Sequence, residues 1–336
     1  MWYVGMDVHT RQTTFCVLDE NGKKIRTRTV RSGWRTVILE LKKLGKPFAV
    51  CYEASTGYGV LFDELAKIAR RVEVAHPGHL RLIYKSKRKN DVFDAEKLAK
   101  ILYLDVVPRV HVPAHEVRAW RATIKHRHKM VCERTRTKNT IRALLRGLGI
   151  DAPRGLWTRA GLAWLEKLSL DQEGDALRRD ILLERVKHQN LLVKRVEKWL
   201  GKVAKDNLAV RLLMTIPGVG VRTAEAVVAW VDKPKRFRKN KSYGCYFGVI
   251  PCEHASAGRD RLGHITKQGP SFIRQLLVEA AWQGRRRSPV IGAYFDRVKR
   301  DDPERNKIAI VAAAHYMLSV MGSMPTTGEL WRGEAA

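Results

Sequence analysis

The sequence predicts an α/β unit followed by two largely helical sections. Three observations carry this prediction. Short apolar runs alternate with helical periodicity over residues 1 to about 108. Two long stretches between residues 115 and about 205 place apolar side chains at helical spacing with Lys, Arg and Glu between them. Beyond residue 206 helical patterns dominate, interrupted by a Gly-rich stretch from Gly244 to Gly269 that reads as irregular.

The elements follow in order. WYVGMDVH reads as a short apolar strand. TTFCVLDENG and KKIRTRTV read as two more, joined by a turn at Glu20-Asn21-Gly22. Thr36 to Leu44 has helical spacing, and PFAVCYEAS is a strand ending at Glu53. Val60 to Ile68 is a helix, RVEVAHP a further strand, and Asp91 to Leu104 a helix with Val92, Ala95, Leu98, Ala99 and Leu102 inward. A three-strand meander followed by alternating helices and strands matches the order of the ribonuclease-H-like fold. Pro108 and Pro113 punctuate the next boundary. The first long helix carries Val117, Trp120, Ile124, Val131, Ile141, Leu144 and Leu148. The second carries Leu182, Val186, Val193, Val196 and Leu200. A coiled-coil hairpin or a bundle, broken at DAPRG, accommodates both. Three sections are therefore expected: 1–108, 109–205 and 206–336.

Composition narrows the partners. The 336 residues hold 64 Lys+Arg against 34 Asp+Glu, a net charge of +30. Such an excess attracts polyanions, and nucleic acid is the expected one. The longest apolar run, Ile308 to Met321, is broken by His315 and Ser319. It is shorter than the roughly 20 residues that cross a bilayer, so a buried helix and no membrane association are expected. The start of the chain lacks the marks of a signal peptide, and five cysteines without a CxxC pair fit a reducing cytoplasm. From Arg118 to Arg146 there are ten Lys or Arg and one Glu. Arg118, Arg121, Lys125, Arg127, Lys129 and Arg134 on this helix are candidate phosphate contacts, against the simpler reading of a solvated face.

Chemistry points first to the carboxylates. Asp7 sits mid-strand among apolar residues, where an uncompensated charge is costly. Glu53 ends a second strand, and Asp91 and Asp94 share one face of a helix. Clustered carboxylates repel, and a divalent cation, Mg²⁺ or Mn²⁺, resolves the repulsion. The simpler reading makes Asp7 a turn residue, and Asp91 and Asp94 helix-starting acids. Farther on, LLMTIPGVGVRTAEAVVAWV reads as a helix-hairpin-helix, with Gly218 and Gly220 letting backbone approach a phosphate. The polar loop GVIPCEHASAGRDRLGHITKQG holds Ser256, with Arg259, Arg261, Lys267 and Arg274 placed to hold phosphate oxygens. By residue type alone, Ser256 is an ordinary loop serine.

The motifs VGMDVH, YEASTGYG, KNDVFDAEKLAK, IPGVGVRTAEAVV and FGVIPCEHASAGRDRLGHITKQG occur in one order across nearly the whole chain. In this the sequence resembles the DEDD transposases of bacterial insertion sequences, the one-ten and eleven-eleven type, which include Piv-type DNA invertases. The resemblance implies an N-terminal domain like the Holliday-junction resolvase RuvC, with Asp7, Glu53, Asp91 and Asp94 as a metal-binding tetrad. It implies a coiled-coil middle and a C-terminal transposase domain whose serine nucleophile falls on Ser256. The chain is one residue shorter than some relatives between that serine and Lys267, and Glu253-His254 replaces more basic residues, which leaves Ser271 as the fallback. A homo-oligomer, dimer or tetramer, with metal site and serine from different subunits, is implied as well. So is a bridge RNA that pairs with target and donor DNA, while the enzyme works in the bacterial cytoplasm at the nucleoid.

The expected reaction is DNA cleavage and rejoining through a phosphoserine, which conserves bond energy for rejoining. The alternatives are a RuvC-like metal-dependent endonuclease with no covalent step, a protein-guided site-specific invertase, and a non-catalytic nucleic-acid-binding protein.

Overall fold

A computed structural model describes residues 1–83, 90–256 and 259–333, with 81–83, 254–256 and 259–261 described by their backbone. The chain divides into two compact units, Met1–Arg118 and Ala119–Ala336.

The first unit is built on a five-stranded sheet. Its strands are β1 (Trp2–Val8), β2 (Thr13–Leu18), β3 (Lys24–Val30), β4 (Phe48–Glu53) and β5 (Arg71–Ala75), in the order β3-β2-β1-β4-β5. β1, β2 and β3 pair antiparallel, and β4 and β5 run parallel to β1. The β2–β3 turn forms as its sequence demands: the Asp19 carboxylate accepts from the Asn21 and Lys23 N–H groups, and Gly22 takes a φ of +78°. Alternation along β1 sorts the core. Val4 and Met6 pack with Val37, Ile38 and Leu41 of α1 (Trp34–Lys42) and with Leu61 and Leu65 of α2 (Tyr58–Leu65).

The opposite face of the sheet is covered by α4 (Asp91–Tyr103), which follows a short α3 (Pro77–Ile83). Its inward residues are Ala95, Leu98, Ala99, Ile101 and Leu102; Val92, expected inward, is only half-buried, and Ile101 takes its share of the core. Gly5 permits the approach. A Cβ there would lie 2.1 Å from the Ala95 carbonyl oxygen and 2.2 Å from the Ala99 nitrogen. Glycine on the strand and alanines on the helix thus bring the start of α4 down to the end of β1. After α4 the chain returns beside β5: the Val110 N–H donates to Val74 O at 2.7 Å and the His76 N–H to Pro108 O at 2.8 Å.

The second unit contains most of α5 (His115–Gly147), then α6 (Arg159–Lys167) and α7 (Glu173–Asp206). α5 and α7 run antiparallel. Ile141 and Leu145 pack with Leu183 and Val186 at one end, and Trp120 and Ile124 join the core that holds Leu200 and Ala204 at the other. The apolar spacing predicted this hairpin. It did not predict α6, whose Leu165 fills the far end beside Leu156.

The core of the unit is formed by α8 (Leu208–Leu213), α9 (Val221–Val231), α10 (Ser242–Phe247), α11 (Ser271–Arg287), α12 (Pro289–Lys299) and α13 (Asn306–Thr327). α13 buries Ala309, Ala313, Met317 and Met321 in this core, as expected of the apolar run, although the helix extends beyond it. By length and composition it is long enough to cross a membrane, and half of its apolar window is buried inside the protein. α9 buries Glu225, whose Oε1 lies 2.9 Å from Arg222 Nη1 while Oε2 has no hydrogen-bond partner among the described residues. Burial pushes this carboxyl up to about 7, against the pull of Arg222 and Arg127.

The stretch expected to be irregular is in large part a β-hairpin. β6 (Pro251–Ser256) pairs antiparallel with β7 (Arg259–Ile265). Its base is tied by the Thr266 N–H to Ile250 O at 2.9 Å and the Lys267 N–H to Gly248 O at 3.2 Å. Neighbouring glycines and charges masked two strands that lack the usual β-branched alternation.

Candidate catalytic metal centre

The acid cluster follows from the register of the first unit. Tyr3 and Gly5 on β1 face α4, and Asp7 continues that parity. Asp91 is the first residue of α4, with Asn90 capping the helix through Oδ1, which accepts the Val92 N–H at 3.0 Å. The close packing at Gly5 therefore brings two carboxylates from distant sequence positions together. Ligand atoms of Asp7, His9 and Asp91 all lie within 4.8 Å of one another. Two carboxylates and an imidazole in that space are a donor set suited to a divalent cation.

Electrostatics agrees with the geometry. Burial raises the Asp7 carboxyl above its ordinary value; His9 pulls it back, while the charges of Asp91 and Asp94 push it up. Asp94 thus shares the field of the cluster, although its Oδ1 accepts from Lys97 Nζ at 3.0 Å. Glu53 stands one step beyond the Met6–Tyr52 pair of the parallel β1–β4 ladder, beside Asp7 and with the parity of Ala49 and Cys51, which face α4. It is exposed, and it lies outside the compact group of ligand atoms formed by Asp7, His9 and Asp91.

Two residues of this centre escaped the sequence reading. His9 Nε2 lies 3.2 Å from Asp7 Oδ2 and 3.8 Å from Asp91 Oδ1. Gln12 Nε2 donates to Asp91 Oδ2 at 2.6 Å. A signal for His9 was present: residues two apart at the end of a strand share a face, so His9 follows Asp7.

The second set of candidates lies on the hairpin. Ser256 is the last residue of β6, opposite Arg259. Its side chain, and those of Arg259 and Arg261, lie outside the described residues, as do Ala257 and Gly258 between the strands. Ser271, the fallback, is the exposed first residue of α11. Lys267 adopts a φ of +54° and is exposed. Arg274 is engaged internally, donating from Nη1 to Gln268 O at 2.5 Å, Gly269 O at 3.2 Å and Phe247 O at 3.3 Å.

The basic residues of α5 divide in the same way. Arg118 pairs with Asp63 and donates to Pro113 O at 2.9 Å. Arg121 donates to Ala229 O at 2.7 Å and to Trp230 O at 3.0 Å. Arg127 holds Glu197 from Nε at 2.9 Å, and Arg134 holds Asn190 Oδ1 at 3.0 Å, both across to α7. Lys125 and Lys129 are exposed. In the α8–α9 hairpin, Gly218 has a φ of +88°, and a Cβ there would lie 2.3 Å from the Gly284 nitrogen of α11. Gly218 therefore serves helix packing, whereas Gly220 precedes α9 in open space.

Comparison with known proteins gives this arrangement a family. Residues 4–150 match the DEDD transposase model of the IS110 type, and residues 210–296 match the transposase model of the IS116/IS110/IS902 family. The chain is similar to the transposase for insertion sequence element IS1111A of Coxiella burnetii, at 27% identity over 83% of this chain and 76% of the relative. It is similar to the transposase for insertion sequence element IS1533 of Leptospira borgpetersenii, at 24% identity over 94% of each. A putative transposase of Sinorhizobium fredii, y4pF/y4sB, is 25% identical over 85% of this chain and 75% of the relative. Two transposase models thus account for most of the chain, one of them spanning the acid cluster and the other the hairpin, and the chain belongs to the DEDD transposases of the IS110 type, enzymes that cut and rejoin DNA.

Proposed function

We propose that this transposase moves an insertion sequence through a phosphoserine intermediate, with Asp7, Glu53, Asp91 and Asp94 as its metal-binding tetrad and Ser256 as its nucleophile. The observation that carries the proposal is the convergence of Asp7 and Asp91 from β1 and α4, where burial, with the charges of Asp91 and Asp94 behind it, raises the Asp7 carboxyl. The sheet order β3-β2-β1-β4-β5 supports a ribonuclease-H-like, RuvC-like unit. The working sections remain 1–108, 109–205 and 206–336, the last bearing the serine on its hairpin.

A divalent cation, Mg²⁺ or Mn²⁺, supplies Lewis acidity and charge neutralisation at the scissile phosphate. The chain's own residues do the rest. Asp7 and Asp91 hold their carboxylates at the mouth of the sheet, and Gln12 fixes one Asp91 oxygen. Ser256 Oγ forms a bond to phosphorus as the scissile P–O bond breaks, and the departing DNA oxygen ends with the serine's proton. A hydroxyl of the receiving strand then attacks the phosphoserine, which re-forms a phosphodiester and returns the serine. Arg259, Arg261 and Lys267 are the proposed phosphate contacts of the hairpin. Lys125, Lys129 and the backbone at Gly220 are those of the helices, while Arg118, Arg121, Arg127, Arg134, Arg274 and Gly218 act by holding their elements in place.

The net charge of +30 suits backbone contacts to target DNA, donor DNA and a bridge RNA. The enzyme assembles as a homo-oligomer in which metal site and serine come from different subunits, and it works at the nucleoid in the bacterial cytoplasm. The test is denaturing electrophoresis after incubation with RNA, DNA and Mg²⁺, followed by peptide mapping. An adduct on Ser256, lost in Ser256→Ala and retained in Ser271→Ala, is expected. Cleavage without an adduct makes the protein a hydrolytic endonuclease, and an adduct that persists in Ser256→Ala assigns the nucleophile elsewhere.

A further inference from the structure

The tetrad contains only oxygen ligands, yet the imidazole of His9 stands against two of its members. We infer that His9 is a nitrogen ligand of the catalytic centre, which makes this a mixed nitrogen and oxygen site for a first-row divalent ion. The inference rests on the reading that Asp7 and Asp91 hold a cation.

Backbone and side chains converge on it. The His9 N–H donates to Gln12 O at 2.9 Å and closes the turn between β1 and β2, so the histidine backbone is fixed at the end of the strand that carries Asp7. From there Nε2 addresses two acids of different elements, at 3.2 Å from Asp7 Oδ2 and 3.8 Å from Asp91 Oδ1. The same turn supplies Gln12, whose amide takes the other oxygen of Asp91 at 2.6 Å and leaves Oδ1 directed towards the histidine. One nitrogen and two carboxylate oxygens thereby bound a single volume, with all separations within 4.8 Å. The His9 side chain is 55% exposed, so its ring has room to adjust to an ion without disturbing the core.

The chemical consequence is selectivity. Mg²⁺ prefers oxygen ligands and gives up water reluctantly. An imidazole shifts a site towards the first-row ions, whose affinity for nitrogen rises from Mn²⁺ along the series. A role limited to orienting Asp7 would leave that preference unchanged.

Mn²⁺ titration of the full chain, read by electron paramagnetic resonance, separates the two roles. Pulsed measurements on the wild-type complex are expected to show ¹⁴N coupling to the bound Mn²⁺, absent in His9→Ala and His9→Gln. His9→Ala is expected to weaken Mn²⁺ about tenfold and Mg²⁺, measured by competition, by less than about twofold. Bound Mn²⁺ without nitrogen coupling, or equal weakening of both ions, overturns the ligand role while leaving the acid centre standing. Failure of the wild-type chain to bind Mn²⁺, or undiminished binding in Asp7→Asn, overturns the acid centre and the inference together.

Discussion

Asp7 and Glu225 are both carboxylic acids that burial makes harder to ionise, yet their surroundings differ in kind. Asp7 is half-buried at a strand end, and the charges of Asp91 and Asp94 push it further up. Glu225 lies in the core of the second unit, 1% exposed, with Arg222 against one oxygen and Arg127 adding to its pull. The first arrangement gathers like charges where a solute can reach them. The second seals one carboxyl away from solvent beside cations. A raised carboxyl alone therefore does not mark a site; access and a gathering of ligand groups do. The cations follow the same rule. Arg121 and Arg274 spend their donors on main-chain carbonyls, while Lys125 and Lys129 face solvent.

The largest effect that would break this comparison is expected at the acid cluster. Asp91→Asn should lower strand cleavage about a thousandfold while leaving the melting temperature unchanged or raised, because a repulsive charge is removed. Stability and activity falling together would make Asp91 a structural residue and not a ligand.

A smaller effect is expected at Glu225, in stability and its pH dependence. Its folded pKa, about 7, lies above the ordinary 4.5, so folding favours the protonated form. The associated stability is fully present below the unfolded value and is lost as pH rises through about 7. Urea unfolding at several pH values should show a loss on the order of 3 kcal/mol across that window. Glu225→Gln should flatten the slope and be the more stable protein at pH 8; an unchanged slope places its source elsewhere.

The smallest effect concerns the cations. Lys125→Ala with Lys129→Ala should leave the melting temperature unchanged, while the log–log salt slope of duplex binding falls by about 0.9 for each phosphate that is no longer neutralised. Arg127→Ala should do the opposite, lowering stability by about 1 kcal/mol because Glu197 is left without its partner. Identical behaviour of the two variants would remove the distinction between structural and nucleic-acid-facing cations.

Much of the first unit was legible because strand alternation and helical spacing each leave a direct trace. The carboxylates stood out because an Asp within an apolar strand pattern has no apolar explanation, although the structure puts Asp7 next to the end of β1. His9 and Gln12 were less visible, since polar residues in a turn are ordinary and only the geometry shows both reaching Asp91. Along α5, charge density could not distinguish Arg127 from Lys129. The antiparallel register that sets Arg127 against Glu197 and Arg134 against Asn190 is a property of the folded pair. The β6–β7 hairpin was hidden for a related reason: glycines and charges at its ends outweigh a weak strand pattern between them.

The central claim is that acids from β1 and α4 form one cation-binding centre. Calorimetric titration of Mn²⁺ into the wild-type chain, Asp7→Asn and Asp91→Asn tests it most directly. Saturable binding by the wild-type protein, abolished in both variants while their circular dichroism is preserved, is the predicted result. Binding of equal strength in all three would contradict it.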